Sequence, residues 1–331
     1  MKHISIQNNI GIPKYKQIVE SIENAIVSKE LVKGSQLPSI NSVCDTFGVS
    51  RDTVMVAYNQ LKTRGIIHSI SGKGYYVKSE NIDLEQKIFV LFDELNVFKE
   101  DLYNAFLKNI EGNFVVDIYF HHFNYEVFSK LIFESIGNYN YYVIMPANLE
   151  KTNLIIEKLP KEKVYILDQM HDELADYAAI YQNFEKDMYS NLTAGIPSLK
   201  KYNKLILHFQ NKQPNGMRNG FVRFCKDNNY EYEIVNSLDN RIPLKGEVYI
   251  IPDDRNLIVI MKKIKELGLI LSENIGIISY NDTLLKEIIE GGITTISTDF
   301  NKMGEKLAKM ILNNEKIQIE NSNSLILRNS L

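Results

Sequence analysis

Apolar positions in the first eighty residues return at helical spacing three times. Pro13 suits a first helical turn, where its missing N–H has no partner to lose. Behind it Ile18, Ile22, Ala25 and Ile26 share one face, and Gly34 ends the unit. A second helix is expected after Pro38, with Ser39 as N-cap, Val43 and Phe47 on its core side, and Gly48 closing it. Ser50 caps a third, whose stripe is Val54, Ala57, Tyr58 and Leu61 and which ends near Gly65. Two β-like runs, 66–70 and 75–77, then flank Ser71-Gly72-Lys73-Gly74, the composition of a hairpin turn.

Residues 79–86 are polar and read as a linker. Beyond them short apolar runs alternate with helical stretches. Strands are expected at 87–92, 114–120, 141–145, 163–167, 177–181, 204–209, 231–235, 247–251, 275–279 and 293–297. Helices are expected near 97–111, 125–137, 150–158, 184–200, 215–228, 255–267, 283–290 and 300–313. Such alternation implies an α/β fold, with parallel sheets covered by helices on both faces. The domains expected are 1–78, the linker 79–86, and a body over 87–331. Its length suffices for two lobes, placed at about 87–182 with 283–298 and at 183–282 with 299–331.

Charge refines this division. Residues 1–80 hold ten Lys/Arg against six Asp/Glu, which leaves 28 against 35 for the rest of a chain of net charge −3. A basic head on an acidic body fits one nucleic-acid-binding end. Cys44 and Cys225 have no metal-ligand spacing around them, and a free-thiol cytoplasmic protein is expected. No apolar run reaches the roughly 18 residues of a membrane span, so no membrane partner is expected.

The turn Phe47-Gly48-Val49 joins two helices as a helix-turn-helix does, and Ser50-Arg51-Asp52-Thr53 opens the second. Hydroxyls and a guanidinium at that position suit phosphates and base edges. Each residue also has a plain structural use: Ser50 and Thr53 as caps, Lys73 as a solvated turn charge. In combination, 12–77 resembles the winged helix-turn-helix of the GntR family. The matching residues are Pro13-Lys14-Tyr15, Gly34-Ser35-Gln36-Leu37-Pro38-Ser39, Gly48-Val49-Ser50-Arg51-Asp52-Thr53-Val54, Ala57-Tyr58, Leu61, Gly65 and Gly72-Lys73-Gly74. The resemblance implies DNA contacts from Ser39, Asn41, Ser50, Arg51, Thr53, Gly72, Lys73 and Gly74, and a homodimer on a near-palindromic operator. Many members carry arginine where Asn41 stands, and some carry another where Met55 stands, so either a different operator or weaker binding per half-site is expected.

The body resembles the periplasmic-binding-protein-like domain of LacI-type regulators. The resemblance rests on Arg218-Asn219-Gly220-Phe221, Pro252-Asp253-Asp254, Leu267-Gly268-Leu269, 275–282, Thr294-Thr295-Ile296, Asp299 and Met303-Gly304. It implies a small-molecule effector held between the lobes, and a sugar by analogy with the GntR subgroup that pairs such a head and body. With Arg218 as the only cation near the expected site, a neutral monosaccharide is expected. Strand ends supply Phe92, Asp93, His122, Asn148, Asp168 and Gln182, with Arg218 and Asp254 from the second lobe. His121 and His122 point to opposite faces, so at most one reaches the cleft. The family's ligand arginine falls where Met217 stands, one residue before Arg218.

The expected function is therefore an effector-controlled, sequence-specific DNA-binding regulator without a cofactor, and not an enzyme. One alternative is a pyridoxal-phosphate enzyme-regulator fusion, but no Schiff-base lysine motif, P-loop, G-x-S-x-G or His/Cys metal set is found. The other is an ungated DNA-binding protein, which would leave the two-lobed body without a use.

Overall fold

The computed structural model describes residues 3–7, 11–80 and 86–331. Most of the expected linker, 81–85, lies outside the described residues. The head consists of α1 (Lys14–Val27), α2 (Ile40–Phe47), α3 (Arg51–Thr63) and an antiparallel hairpin, β1 (Ile67–Ile70) with β2 (Gly74–Val77). The stripes read from the sequence meet in one core: Ile18 and Ile22 against Val43, Val54, Ala57 and Leu61, closed by Ile67 and Val77. Full burial of such a side chain contributes about 1.5–3 kcal/mol. Tyr58 is also fully buried, and its hydroxyl donates to the Pro38 carbonyl at 2.7 Å, tying α3 to the start of α2.

The body opens with β3 (Gln86–Phe92), α4 (Val97–Asn109), β4 (Phe114–Phe120), α5 (Tyr125–Ser135), β5 (Tyr141–Ile144), α6 (Asn153–Ile156), β6 (Val164–Asp168) and β7 (Ala178–Tyr181). A second lobe follows with α7 (Phe184–Ala194), α8 (Ile196–Leu199), β8 (Lys204–His208), α9 (Asn215–Asp227), β9 (Glu231–Val235) and β10 (Glu247–Ile251). It continues through α10 (Asp254–Glu266), β11 (Gly276–Tyr280), α11 (Leu284–Ile288) and β12 (Thr294–Thr298). The chain then returns to the first lobe for α12 (Phe300–Leu312) and β13 (Gln318–Glu320), and ends in the second with β14 (Asn323–Ile326). The sheets run β13-β7-β6-β5-β3-β4, all parallel, and β14-β12-β11-β10-β8-β9, parallel except for β14. The two-lobed α/β fold with parallel sheets is as expected.

Strand β3 illustrates the packing. Ile88, Val90 and Phe92 enter the core under α4 and α12, while Phe89 and Leu91 enter the core on the opposite face. Helices cover both faces, so the strand is apolar throughout. The lobe boundaries differ from expectation. Strand β12, expected in the first lobe, pairs with β11 in the second sheet. Helix α12, expected in the second lobe, packs on α4 of the first. Strands β13 and β14 were not anticipated, because Gln318-Ile319-Glu320 and Asn323–Ile326 are too short and polar to register as apolar runs.

Each lobe contains one very close helix crossing, marked by a glycine. A β-carbon on Gly304 of α12 would run into the Leu102 carbonyl of α4, and one on Gly220 of α9 into the Glu185 carbonyl of α7. The lobes are joined where the chain passes between β7 and α7, between β12 and α12, and between β13 and β14. Asn321 pins the last of these: its amide donates to Thr298 Oγ1 at 3.2 Å and to the Asp299 carbonyl at 2.9 Å. Beside the same crossing, Asp187 is buried on α7. Burial, with Glu320 adding to it, pushes its carboxyl up to about 7.

The head sits against the first lobe at the ends where its strands begin. Lys163 pairs with Glu20 of α1 at 2.7 Å, and Lys16 donates to the Asn138 side chain. Between them lies a crevice of about 850 Å³ that Arg64, Lys87 and Tyr139 also line.

Two outcomes follow. Gly304→Ala forces α12 and α4 apart and is expected to cost about 1–3 kcal/mol in denaturant unfolding; an unchanged midpoint would show that the crossing has slack. Asp187 takes up a proton on folding, because its folded pKa lies above the unfolded value near 3.8. Its contribution is complete below that value and is lost as pH rises through about 7. Asp187→Asn should therefore gain melting temperature over wild type on going from about pH 5 to about pH 8. A difference constant with pH would contradict this.

Candidate functional site

The exposed edge of the helix-turn-helix is built from two caps. Ser39 Oγ accepts from the Ser42 N–H at 3.1 Å, and Ser50 Oγ accepts from the Thr53 N–H at 3.2 Å. Both serines therefore serve their helices first, which leaves backbone N–H groups at two helix N-termini toward solvent. Arg51 is exposed, and its guanidinium donates to Asn41 Oδ1 at 3.0 Å. Asn41 thus orients the arginine across the helix-turn-helix. Thr53 Oγ1 lies 2.8 Å from Ser50 Oγ. At the hairpin tip, Gly72 and Gly74 have φ of 70° and 107°, which only glycine adopts freely, and Lys73 between them is exposed. Gln36 braces this tip by donating to the Lys73 carbonyl at 2.8 Å. Met55 and Val56 are exposed on α3 and add apolar contact surface to its polar opening. Gln36 carried no signal beyond its place in the matched motif.

The second feature is a cleft of about 120 Å³ between the lobes, at the carboxyl ends of both sheets. Parallel strands place all their βα turns at one end, so turns from five strands of the first lobe and three of the second converge there. Phe123, Ala147, Asp168 and Asn281 line the cleft, and all four have left-handed backbone, with φ of 56°, 51°, 70° and 57°. Such strain persists where surrounding structure holds it for a use.

Asp93, Asp168 and Gln182 of the expected effector set line the cleft. Asp93 is buried and pairs with buried Lys99, and Gln182 donates to Asp168 Oδ1 at 2.5 Å. Burial raises the Asp168 carboxyl; Lys99 opposes this and Asp93 reinforces it.

The structure does not bring the other five to the cleft wall. Phe92 is in the core, because strand alternation puts it on the face of Ile88 and Val90. His122 is exposed beyond edge strand β4, whereas His121 is buried with Nε2 3.0 Å from the Met145 carbonyl. Asn148 spans the lobes, donating to the Asn211 carbonyl at 3.2 Å and the Gln213 carbonyl at 2.5 Å. Arg218 is exposed on the outer face of α9, and Met217 lines the cleft instead. Asp254 turns away to Lys286 at 2.9 Å, and Asp253 faces the cleft. In both second-lobe pairs the preceding residue faces inward. For Asp253 the cause is its cap geometry: its extended backbone lays the carboxylate over the helix N-terminus, where it accepts from the Asn256 N–H at 2.9 Å. Burial works against the Asp253 charge, but His208 and Asn256 outweigh it and hold the carboxyl at about 2.

Lys286 was missed by the sequence reading. It is 2% exposed, yet donates to the Tyr280 and Asn281 carbonyls at 2.9 and 2.7 Å and so fixes the strained turn behind the cleft. Its place beside Glu287 on a short helix gave it the look of a solvated charge. Phe98, Phe184 and Phe300 complete the apolar part of the wall. Among the described residues no helix is long and apolar enough to cross a membrane.

Comparison with known proteins follows the same division. Residues 14–77 match the family described as bacterial regulatory proteins, gntR family. A stretch of 82 residues is 40% identical to the mannosyl-D-glycerate transport/metabolism system repressor MngR of Escherichia coli (strain K12), covering 25% of this chain and 34% of that protein. A stretch of 80 residues is 31% identical to the HTH-type transcriptional repressor NagR of Bacillus subtilis (strain 168), covering 24% and 33%. The chain thus matches about a third of the length of these curated relatives. The body aligns with the LacI family transcriptional regulator CCPA from Weissella paramesenteroides with bound sucrose, at TM-score 0.59 and 16% identity, over 74% of this chain and 98% of that one. It aligns similarly with the lac repressor dimer bound to operator and the anti-inducer ONPF, at TM-score 0.60 and 14% identity, over 74% and 94%. The chain carries a gntR-family winged helix-turn-helix at its N-terminus, joined to a body with the two-lobed fold of LacI-family regulators.

Proposed function

We propose that this chain is a cytoplasmic transcription regulator whose operator affinity is set by a small molecule in the interlobe cleft. The observation that carries it is a gntR-type head, its polar reading edge exposed, on a body whose strained strand ends enclose a cleft. In this reading Arg51, oriented by Asn41, reads a base or phosphate. The N-termini capped by Ser39 and Ser50 hold phosphates, Thr53 assists, and Gly72, Lys73 and Gly74 enter the minor groove. One such head reads too few bases, so the working form is a homodimer on a near-palindromic site. Asp93, Asp168 and Gln182 bind the effector, and Asn148 holds the lobes together over it. The effector is of the sugar class, for which a neutral monosaccharide is the simplest member; bound sucrose in one structural neighbour supports the class. The chain performs no catalysis in this account and needs no cofactor.

Two measurements bear on this. DNA selected by the chain from a randomised pool is expected to bind Arg51→Ala more weakly by about 1–3 kcal/mol in fluorescence anisotropy. Unchanged affinity would remove Arg51 from the interface. Asn148→Ala is expected to open the lobes, read as a larger radius of gyration in X-ray scattering. An unchanged scattering profile would mean that closure does not depend on this bridge.

A further inference from the structure

The charge of the cleft points to a ligand more specific than a polyol. Its wall carries four carboxylates, Asp93, Glu94, Asp168 and Asp253, against two ammonium groups, Lys99 and Lys212. They are not equivalent. Lys212 is exposed at the rim, and Asp253 is held by Asn256 and His208. Deep in the first lobe, Asp93 and Asp168 share a single cation: Lys99 pairs directly with Asp93 and reaches Asp168 only through space. Asp168 receives a neutral amide hydrogen from Gln182 instead. An ionised Asp168 therefore lacks a countercharge of its own. Burial opposes that ionisation and pushes its carboxyl up.

Two further observations favour a bound molecule. Gln182 and Gln213 are 5% and 6% exposed and line the cleft from opposite lobes. Each amide uses one end within the protein: Gln182 Nε2 on Asp168, and Gln213 Oε1 on the Gln210 N–H at 2.6 Å. The other end of each, Gln182 Oε1 and Gln213 Nε2, is buried without a partner. A buried polar group left unmatched costs about 1–3 kcal/mol, so the pair awaits hydrogen bonds. Phe98, Phe123, Phe184 and Phe300 place aromatic rings around the same space, and ring faces attract cations as well as sugar C–H groups.

We propose that the cleft selects an effector bearing a protonated primary amine on a small polyhydroxy ring, with the ammonium placed against Asp168 and the hydroxyls matched by Gln182 and Gln213. This rests on the sensor reading above and changes only the charge of the ligand from the neutral one expected. Of the two carboxylates deep in the first lobe, Lys99 pairs with Asp93, which leaves Asp168 to be satisfied by one ligand charge, while Glu94 is half-exposed nearer solvent.

The test is calorimetric titration of the full chain with three matched pairs: D-glucosamine and D-glucose, D-galactosamine and D-galactose, D-mannosamine and D-mannose. In at least one pair the amine is expected to bind about tenfold or more tightly than its parent, the scale of a hydrogen bond to a charged group. Asp168→Asn should reduce that preference to near parity. Asparagine tolerates the φ of 70° found there, so the variant is expected to fold, with its melting curve as the check. A parent sugar that binds as well as its amine overturns the ammonium assignment and leaves the sensor reading standing. An amine preference that survives in Asp168→Asn overturns the role of Asp168. No binding by any of the six overturns the amino-monosaccharide assignment and leaves the sensor reading to the titration with DNA.

Discussion

In a parallel sheet every strand ends at the same edge, and every return helix must lie on a face. The first lobe therefore gathers the turns after β3, β4, β5, β6 and β7 at one edge, and the second lobe sets its own turns opposite them. Charged and strained residues at those turns become neighbours without being neighbours in sequence. Asp93, Asp168 and Gln182 come together in this way, as do Asp253 and His208 across β8 and β10. Close helix crossings at Gly304 and Gly220 hold the covering helices to their lobes, so each lobe can move as a unit.

The same geometry separates the two working ends. Strands of the first lobe end at the cleft and begin at the head, where Lys163 meets Glu20 and Lys16 meets Asn138. In the proposed regulator, a change at the cleft would reach the head through the first sheet or through the three interlobe crossings. The crossings carry buried polar groups, Asn321 and Asp187 among them, and such groups tolerate few alternative arrangements. A lobe pair with a small number of discrete positions is the kind of two-state element through which a ligand biases a distant site.

Much of the fold was legible in the sequence, because it rests on local signals. Caps at Ser39 and Ser50, the helical stripe through Val54, Ala57, Tyr58 and Leu61, and the glycines around Lys73 each state their own conformation. What failed was non-local or a matter of one residue. Strands β13 and β14 exist through their partners rather than through their own composition. The assignment of β12 and α12 to lobes followed chain order, whereas packing decided otherwise. In the cleft, the types and approximate positions were readable but the register was not. Asp254 and Arg218 give way to Asp253 and Met217: Asp253 is the cap and Asp254 the first residue of α10, whereas Met217 and Arg218 are successive residues of α9 and so lie on different faces of it. The alternation of β3 carried enough information to place Phe92 in the core. Nothing near Lys286 in sequence marked it as buried.

Coupling between cleft and head is tested by linkage. DNA selected by the chain would be titrated with and without the monosaccharide or amino monosaccharide that binds it most tightly, and that ligand titrated with and without the DNA. With coupling, each is expected to change the affinity of the other by one and the same factor, about 5–150-fold. A factor of one in both directions, with DNA and ligand each still bound, would contradict it.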